Sequence, residues 1–454
     1  MPTYWNQQIR HWSLTFLLVA STLLVFGQNP TDNSPYSRYG IGDLVSTDFG
    51  ALNALGGISS AYYNRNSLNI SNPASLGFIQ STAFEVGLYS DFSWLEAASG
   101  DGFAIDGNLT HIALGFPIKN PINKLTEIKK SKFNWGTAFG LLPYSRVGYS
   151  IETQEVIPNI DTVFYEYNGS GGLYQLFLSN GVSYKNTAVG FTAGYLFGNI
   201  AQERVAVFPD VDNAFSNILT NKTNHKGFIY NIGVQHEFIL GAKNEKEDAS
   251  SALSRRNKTR LIIGATANNT MEVAGSSRSL NRRYSTFYGF DTIVSDIDND
   301  GSITLPLEYS LGFTLSKDNK WLVGVDYSAA RWSEYNSPFQ SDTLANTFRI
   351  GFGAEYVPDA NAYNKYLKRV AYRIGGFYEL DPRIIDGEQL ATFGLNAGFG
   401  FPITLPKKGT VAYSNISFEY GRLGYNTAIG ETYLKVKAAF TLNDNSWFYK
   451  RKFD

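Results

Sequence analysis

The run Asp296-Ile297-Asp298-Asn299-Asp300-Gly301 sets carboxylates at positions 1, 3 and 5, and a glycine at position 6, of a calcium-binding loop. Position 12 is Leu307, Glu308 falls one place late, and no helical pattern flanks the run. Two readings stay open: a weak calcium site on Asp296, Asp298 and Asp300, or an acidic surface loop. No other cofactor is implied. Histidines occur at 11, 111, 225 and 236, and Gly-x-Ser-x-Gly, His-Glu-x-x-His and phosphate-cradling loops are absent from the chain, so an enzyme is not expected. Zero cysteine excludes a disulfide framework, thiolate zinc sites, a cysteine nucleophile and a lipid-modified N-terminal cysteine. The other charged candidates are Arg349, Glu355, Arg373 and Glu379, joined by Glu419, Lys435 and Lys437. Their spacing suggests an enclosed charge network, and the first four are the candidates for lining a solute path.

What must position those charges is a set of strands. In Phe348–Tyr356, Phe348, Ile350, Phe352, Ala354 and Tyr356 alternate with Arg349, Gly351, Gly353 and Glu355. In a strand these parities are opposite faces. The same split runs through 84–91, 228–238, 321–328, 391–401 and 434–442, with charges almost wholly on one parity. Strands of soluble sandwiches usually run about five or six residues. Here alternation persists for roughly ten or more, the length a tilted strand needs to cross a bilayer. Only a closed barrel lets strands span lipid without an unpaired edge. The expected fold is therefore all-β, a closed antiparallel transmembrane barrel. Sixteen runs qualify as crossings, including 132–150, 155–168, 172–184 and 282–293. Even strand numbers are the rule, so 14 or 16 is expected. The polar linkers 210–226 and 243–258 read as turns or longer extracellular loops.

The N-terminal part follows a different pattern. Residues 1–27 carry Arg10 and His11, then the apolar run Leu14–Phe26, and Val25-Phe26-Gly27 before Gln28. That is the layout of a cleaved secretory signal, too short for a membrane anchor. Residues 28–77 lack alternation and contain Ala54-Leu55-Gly56-Gly57 and Asn72-Pro73-Ala74. Small apolar content of this kind suits burial inside the barrel as a plug, the other reading being a flexible periplasmic tail. The expected organisation is a signal at 1–27, a hatch or plug at 28–77, the barrel at 78–443 and a short tail at 444–454.

Composition agrees. Of 454 residues, 39 are Lys or Arg and 40 Asp or Glu, giving a net charge of −1. Nucleic-acid binders show a basic surplus that is missing here. Mean hydropathy is −0.20, which excludes a bundle of membrane helices. The 32 Phe, 29 Tyr and 43 Gly suit a barrel with aromatic girdles.

The Gly-rich start, Ala-Leu-Gly-Gly and Asn-Pro-Ala-Ser-Leu before the first strand resemble the FadL/TodX-type outer-membrane transport family. Further likeness lies in Trp321…Asp326-Tyr327…Trp332-Ser333, in Arg349…Tyr356-Val357-Pro358 and in Arg373…Tyr378. The tail Leu442–Lys452 resembles barrel termini common in Bacteroidetes. The chain departs from the pattern by ending in Asp454 after a Lys/Arg run. The resemblance implies 14 strands, a luminal hatch formed in part by Gly56, Gly57, Asn72, Pro73 and Ala74, and an outer-membrane location. It implies uptake of hydrophobic small molecules, long-chain fatty acids or aromatic hydrocarbons, with lateral exit through the wall into lipid. As an alternative, it extends to PorV-type subunits, barrels that partner other outer-membrane proteins in secretion or assembly complexes. Expected partners are thus outer-membrane lipids, a hydrophobic ligand and other outer-membrane proteins, and no nucleic acid.

Overall fold

A computed structural model describes residues 34–444 apart from 98–99, 119–131, 159–160, 210, 212–213, 241–257, 286, 318–319, 406–409 and 428. The expected signal sequence and cleavage point, and the tail beyond Asp444, lie outside the described residues.

Among the described residues the chain forms one antiparallel sheet of seventeen strands. A two-residue strand, β1 (Asp43–Leu44), lies in the N-terminal segment. The wall begins with β2 (Ala83–Ala97), β3 (Gly100–Pro117), β4 (Phe133–Ile157), β5 (Asp161–Tyr184), β6 (Thr187–Val207) and β7 (Ser216–Leu240). It continues with β8 (Thr259–Ala267), β9 (Met271–Ser285), β10 (Gly289–Leu305), β11 (Glu308–Lys317) and β12 (Trp321–Ala330). β13 (Thr347–Tyr356), β14 (Ala371–Ile385), β15 (Glu388–Leu405), β16 (Thr410–Leu423) and β17 (Ile429–Asn443) complete it. β17 pairs with β2 along its whole length, from Ile429↔Ala97 to Asn443↔Ala83, and this closes the barrel.

Seventeen strands make fourteen crossings. β8 pairs with the lower part of β7 and with β11, while β9 pairs with the upper part of β7 and with β10. β8–β9 and β10–β11 are therefore two long strands, each interrupted once. Pro306 lies in the second interruption, where it has no N–H for the ladder. Leaving out β1, the closed wall has 14 strands. Two of the sixteen expected runs are not crossings. Residues 155–168 belong to the upper ends of β4 and β5, which pair out to Ile157↔Asp161, and 282–293 is the tip of the β9–β10 hairpin. Both alternate because one face of a projecting hairpin also packs, so period alone could not separate them from membrane spans.

The two ends differ. Residues 83 and 443, where the chain enters and leaves the wall, mark the near end. The two-residue β5–β6 turn, Lys185-Asn186, lies there too. The expected linker 210–226 is corrected: 216–226 are the first part of β7, paired with β6 and β9, because polar alternation on a projecting strand resembles a loop. The expected linker 243–258 lies, up to 257, outside the described residues. At the far end Asp386-Gly387 joins β14 to β15 with φ of 52° and 85°, the two-residue hairpin turn that needs left-handed backbone twice. β4, β5 and β7 have 25, 24 and 25 residues, against 10 in each of β12 and β13. One side of the barrel thus rises far above the other as a curtain of strands.

The expected facing is observed. Ile350, Phe352, Ile232, Val234 and Leu395 are exposed on the outside, while their alternation partners Asn396 and Gln235 are buried inside. An outer wall of Phe, Leu, Ile and Val is stable only against hydrocarbon. No helix among the described residues is long and apolar enough to cross a membrane. The core has two parts. One is the N-terminal segment, in which Leu52, Leu55, Ile58, Ala61, Ala74 and Leu76 are all at most 2% exposed. The other is a cluster of inward wall side chains around Ile41 that includes Leu173, Leu196, Val273, Ile303 and Trp332.

Candidate functional site

The segment 34–82 passes through the barrel from far end to near end. At the far end Tyr36 packs with Ile385 and Leu390. A 3-10 turn at Leu52–Ala54 packs on β14, β15 and β16, and a second at Pro73–Phe78 on β4–β7. This backbone lies directly on the wall because the inward face of the wall is rich in glycine. A Cβ on Gly264 would fall 1.9 Å from the Ser60 carbonyl oxygen, and one on Gly353 would fall 2.4 Å from that of Leu55. On Gly375 it would meet the Gly56 nitrogen at 2.3 Å, and on Gly181 the Pro73 oxygen at 2.4 Å. Contacts under 3.0 Å admit no side chain, so these glycines are seats for the plug. An inward glycine leaves space in the lumen, and at these positions main chain occupies it.

The motif residues lie at these seats. Gly56 and Gly57 have φ of +65° and +81°, a conformation in which other residues are strained. A Cβ on Gly56 would also sit 2.4 Å from the Phe352 oxygen. Asn72 caps the Pro73–Phe78 turn: its Oδ1 accepts from the Ala74 N–H at 3.0 Å, and its Nδ2 donates to the Ser60 carbonyl at 2.6 Å. Pro73 and Ala74 rest on Gly190, where a Cβ would approach the Pro73 carbonyl carbon to 2.2 Å.

Arg349 and Glu379 are register partners on β13 and β14, as are Glu355 and Arg373. Arg349 Nη1 lies 3.0 Å from Glu379 Oε2, its Nη2 donates to the Gly56 carbonyl at 3.4 Å, and its guanidinium covers the Phe377 ring at 4.0 Å. Arg373 Nε lies 2.6 Å from Glu355 Oε2, and its Nη1 donates to Asn415 Oδ1 at 2.7 Å. The first pair holds the plug, and the second joins three wall strands below it. Lys437 completes the network with Glu419 at 3.0 Å. The backbone of 296–300 runs in strand β10, with a register shift between Asp296 and Asn299. The side chains of Asp296 and Asp298, and with them the calcium expectation, lie outside the described residues.

Sequence reasoning missed several tethers. Asp326 Oδ2 accepts the N–H groups of Ser59 and Ser60 at 2.7 and 2.6 Å, and Glu85 Oε1 that of Leu68 at 2.8 Å. Gln235 Nε2 donates to the carbonyls of Ser60 and Tyr62 at 2.9 and 3.1 Å. Arg383 bridges Asp381 on its own strand to Asp43 of the plug. Inward parity marked Asp326, Glu85 and Gln235 as luminal, but nothing local says which backbone N–H a luminal carboxylate will meet. In the plug, burial and then the Glu355 charge push the Tyr62 phenol up to about 12. Tyr63 is raised as well, by burial and by Glu237, to which its hydroxyl donates at 2.5 Å.

The wall itself is breached. β3 pairs with β4 only from Ile112↔Leu141 to Pro117↔Gly136. Above that point β4 bulges between Pro143 and Ser145 and turns to β1 of the plug, with Asp43↔Arg146 and Leu44↔Ser145. The upper part of β3 is left without its neighbour. Arg146 bars the opening: its Nη2 donates to the Leu109 carbonyl at 3.2 Å, its Nη1 lies 3.8 Å from Asp106, and its guanidinium sits 4.3 Å over the Tyr89 ring. Tyr89 in turn donates to Asp106. Behind the bar lies a cavity of about 230 Å³ bordered by Leu44, Tyr89, Asp106, Arg146 and Arg349. A second, of about 340 Å³, lies between Ile70 of the plug and Leu142, Phe177, Ile229, Met271 and Trp332. Arg349 and Glu379 line both.

A family model described as BamG matches residues 8–454. No curated protein matches the sequence. Among solved structures, the toluene transporter TodX of Pseudomonas putida superposes with a TM-score of 0.50 at 15% identity, over 90% of this chain and 100% of that one. The toluene transporter TbuX of Ralstonia pickettii gives 0.51 at 14%, over 88% and 99%. The monoaromatic hydrocarbon channel CymD gives 0.51 at 12%, over 89% and 99%. All three are described as channels or transporters, none as an enzyme. At such identities the likeness establishes a shared fold, which is the one the N-terminal and strand motifs implied.

Proposed function

The chain belongs to the BamG family, and from the geometry of its lumen we propose that it is an outer-membrane channel admitting hydrophobic small molecules at the far end and releasing them sideways into lipid. The observation that carries this reading is the breach between β3 and β4 above Ile112↔Leu141, with a cavity directly behind it. An apolar solute gains roughly 0.8 kcal/mol per CH₂ on leaving water, so it needs help only through the polar outer layer. A side door delivers it to hydrocarbon without crossing the plugged near end. Aromatic hydrocarbons, the compounds named for CymD and the toluene transporters, fit cavities of 230–340 Å³ better than an extended fatty acid does. Displacement of Arg146 and of β1 opens the door, and the N-terminal segment acts as the hatch. The test uses the chain's lack of native cysteine. Leu109→Cys and Arg146→Cys are introduced together, and toluene uptake into vesicles is measured with the pair crosslinked and then reduced. Crosslinking is expected to cut uptake by about tenfold or more, and reduction to restore it. Equal uptake in both states refutes lateral exit.

A second reading is favoured by a different observation. The plug seals the lumen through main-chain contacts, both cavities carry ion pairs, and the β9–β10 hairpin exposes Phe287, Tyr288 and Phe290 at 77%, 76% and 64%. A sealed barrel with greasy tips suits a subunit of an outer-membrane secretion or assembly complex. Native mass spectrometry after gentle extraction separates the two. A stable protein partner with no hydrophobic adduct and no uptake favours the complex.

A further inference from the structure

The curtain of strands above the barrel carries a cavity of about 630 Å³ that neither reading uses. From β7 and β9 it is lined by Thr220, Lys222, Arg278, Leu280 and Arg282, and not by the intervening Asn221, Ser279 or Asn281. Lys222 lies on the same strand and parity as the exposed Phe228, and Arg278 is its register partner. On β7 and β9 the cavity is therefore on the outside of the curtain, facing the surrounding membrane surface, while Tyr149, Gly169 and Gln202, of the luminal parity, border it on β4, β5 and β6. Directly below it runs a chain of outward rings: Tyr174 to Phe197 at 6.2 Å, Phe197 to Tyr195 at 6.2 Å, and Tyr195 to Phe228 at 5.2 Å. Such a belt marks the edge of the hydrocarbon. Ser170 and Lys222 stand four and six residues beyond Tyr174 and Phe228, roughly 13–20 Å along tilted strands, or about 10–15 Å in height. That is the level of lipid headgroups and the sugars above them.

The chemistry of the lining matches that level. Three cations converge, and among the described residues none of them has a carboxylate within ion-pair distance. The one lining carboxylate, Glu203, accepts from Thr220 at 3.2 Å. Arg282 Nε is buried and lacks a hydrogen-bond partner among the described residues. Ser150, Asn168 and Ser170 add short polar groups suited to sugar hydroxyls. Guanidinium forks favour phosphate over other anions by bidentate geometry.

We propose that this outer cavity binds the phosphorylated sugar head of an outer-leaflet glycolipid, which would seat the curtain on the membrane surface. The proposal is independent of whether the lumen conducts. The full-length protein in detergent is titrated with bisphosphorylated lipid A and with its dephosphorylated counterpart, and adducts are read by native mass spectrometry. The wild type is expected to retain the phosphorylated form at least about tenfold more tightly. Lys222→Gln/Arg278→Gln/Arg282→Gln is expected to abolish that preference, and Glu203→Gln to strengthen it about two- to threefold. If the triple variant fails to assemble, Arg278→Gln alone should lower affinity about threefold and flatten its salt dependence. Equal binding of the two lipids, an unaffected triple variant, or free glucosamine 1-phosphate binding as tightly as the glycolipid would each overturn the proposal.

Discussion

Alanine at Gly353 and Gly375 should unseat the plug while leaving the barrel closed. Both glycines face the same loop, and the added Cβ atoms would lie 2.4 Å from the Leu55 oxygen and 2.3 Å from the Gly56 nitrogen. Neither contact can be relieved by turning a side chain, because main chain stands on both sides. Overpacking of this kind costs about 1–3 kcal/mol per site. The two sites share one clash, so about 2 kcal/mol is the safer sum. The strand ladders β12–β13–β14–β15 are untouched, and the strain falls on the plug. Every 1.4 kcal/mol is tenfold in population, so the unseated state should become about thirtyfold more frequent. A reporter is easily installed in a chain without cysteine: Ser60→Cys puts a single thiol at a site 1% exposed. The maleimide labelling rate of that thiol, measured on protein extracted in mild detergent, should rise about thirtyfold in the double-alanine background. Gly102→Ala, whose Cβ would meet only Leu95 side-chain atoms at 3.5 Å or more, should leave the rate unchanged. If the double-alanine protein migrates as an intact barrel and the introduced thiol labels no faster than in the parent Ser60→Cys protein, the glycine-seat account is wrong.

Three further outcomes follow from the same contacts. Asn72→Ala removes a cap and one donor to the buried Ser60 carbonyl, which Gln235 still serves; it should cost about 1–2 kcal/mol, seen as earlier loss of heat-resistant electrophoretic migration. Arg349→Met strands Glu379 beside the plug and should destabilise more than Arg349→Met/Glu379→Leu, since a lone charge in a half-buried site is worse than an apolar pair; denaturant midpoints of the two variants test the order. Tyr62, with its phenol raised to about 12 against an ordinary value near 10, contributes stability that is whole below pH 10 and is lost as pH rises through 12. Labelling of the Ser60→Cys thiol should therefore accelerate across that window, and less so when Tyr62→Phe is added.

Much of the architecture is legible in the chain itself. Alternation in 348–356 and 391–401 assigns the outside to Ile350, Phe352 and Leu395 and the inside to Arg349, Glu355 and Asn396, because a two-residue period leaves a strand only two faces. That pattern also requires closure, since open edges are not tolerated in lipid. It could not decide that 155–168 and 282–293 rise above the membrane, because a hairpin packing one face against neighbouring strands has the same period as one packing against lipid.

The type of barrel, the identity of the luminal charges and the small-residue motifs of the plug are properties of neighbours along the chain, and reading the residues in order is enough to find them. Three other facts emerge only once the chain has folded: luminal glycines are seats for main chain, Asp326 grips Ser59 and Ser60, and β4 leaves β3 at Pro143 with Arg146 across the gap. Each is a contact between residues tens to hundreds of positions apart. A single strand's periodicity carries the direction of each side chain, but not what will lie opposite it once the sheet has closed around its own N-terminus.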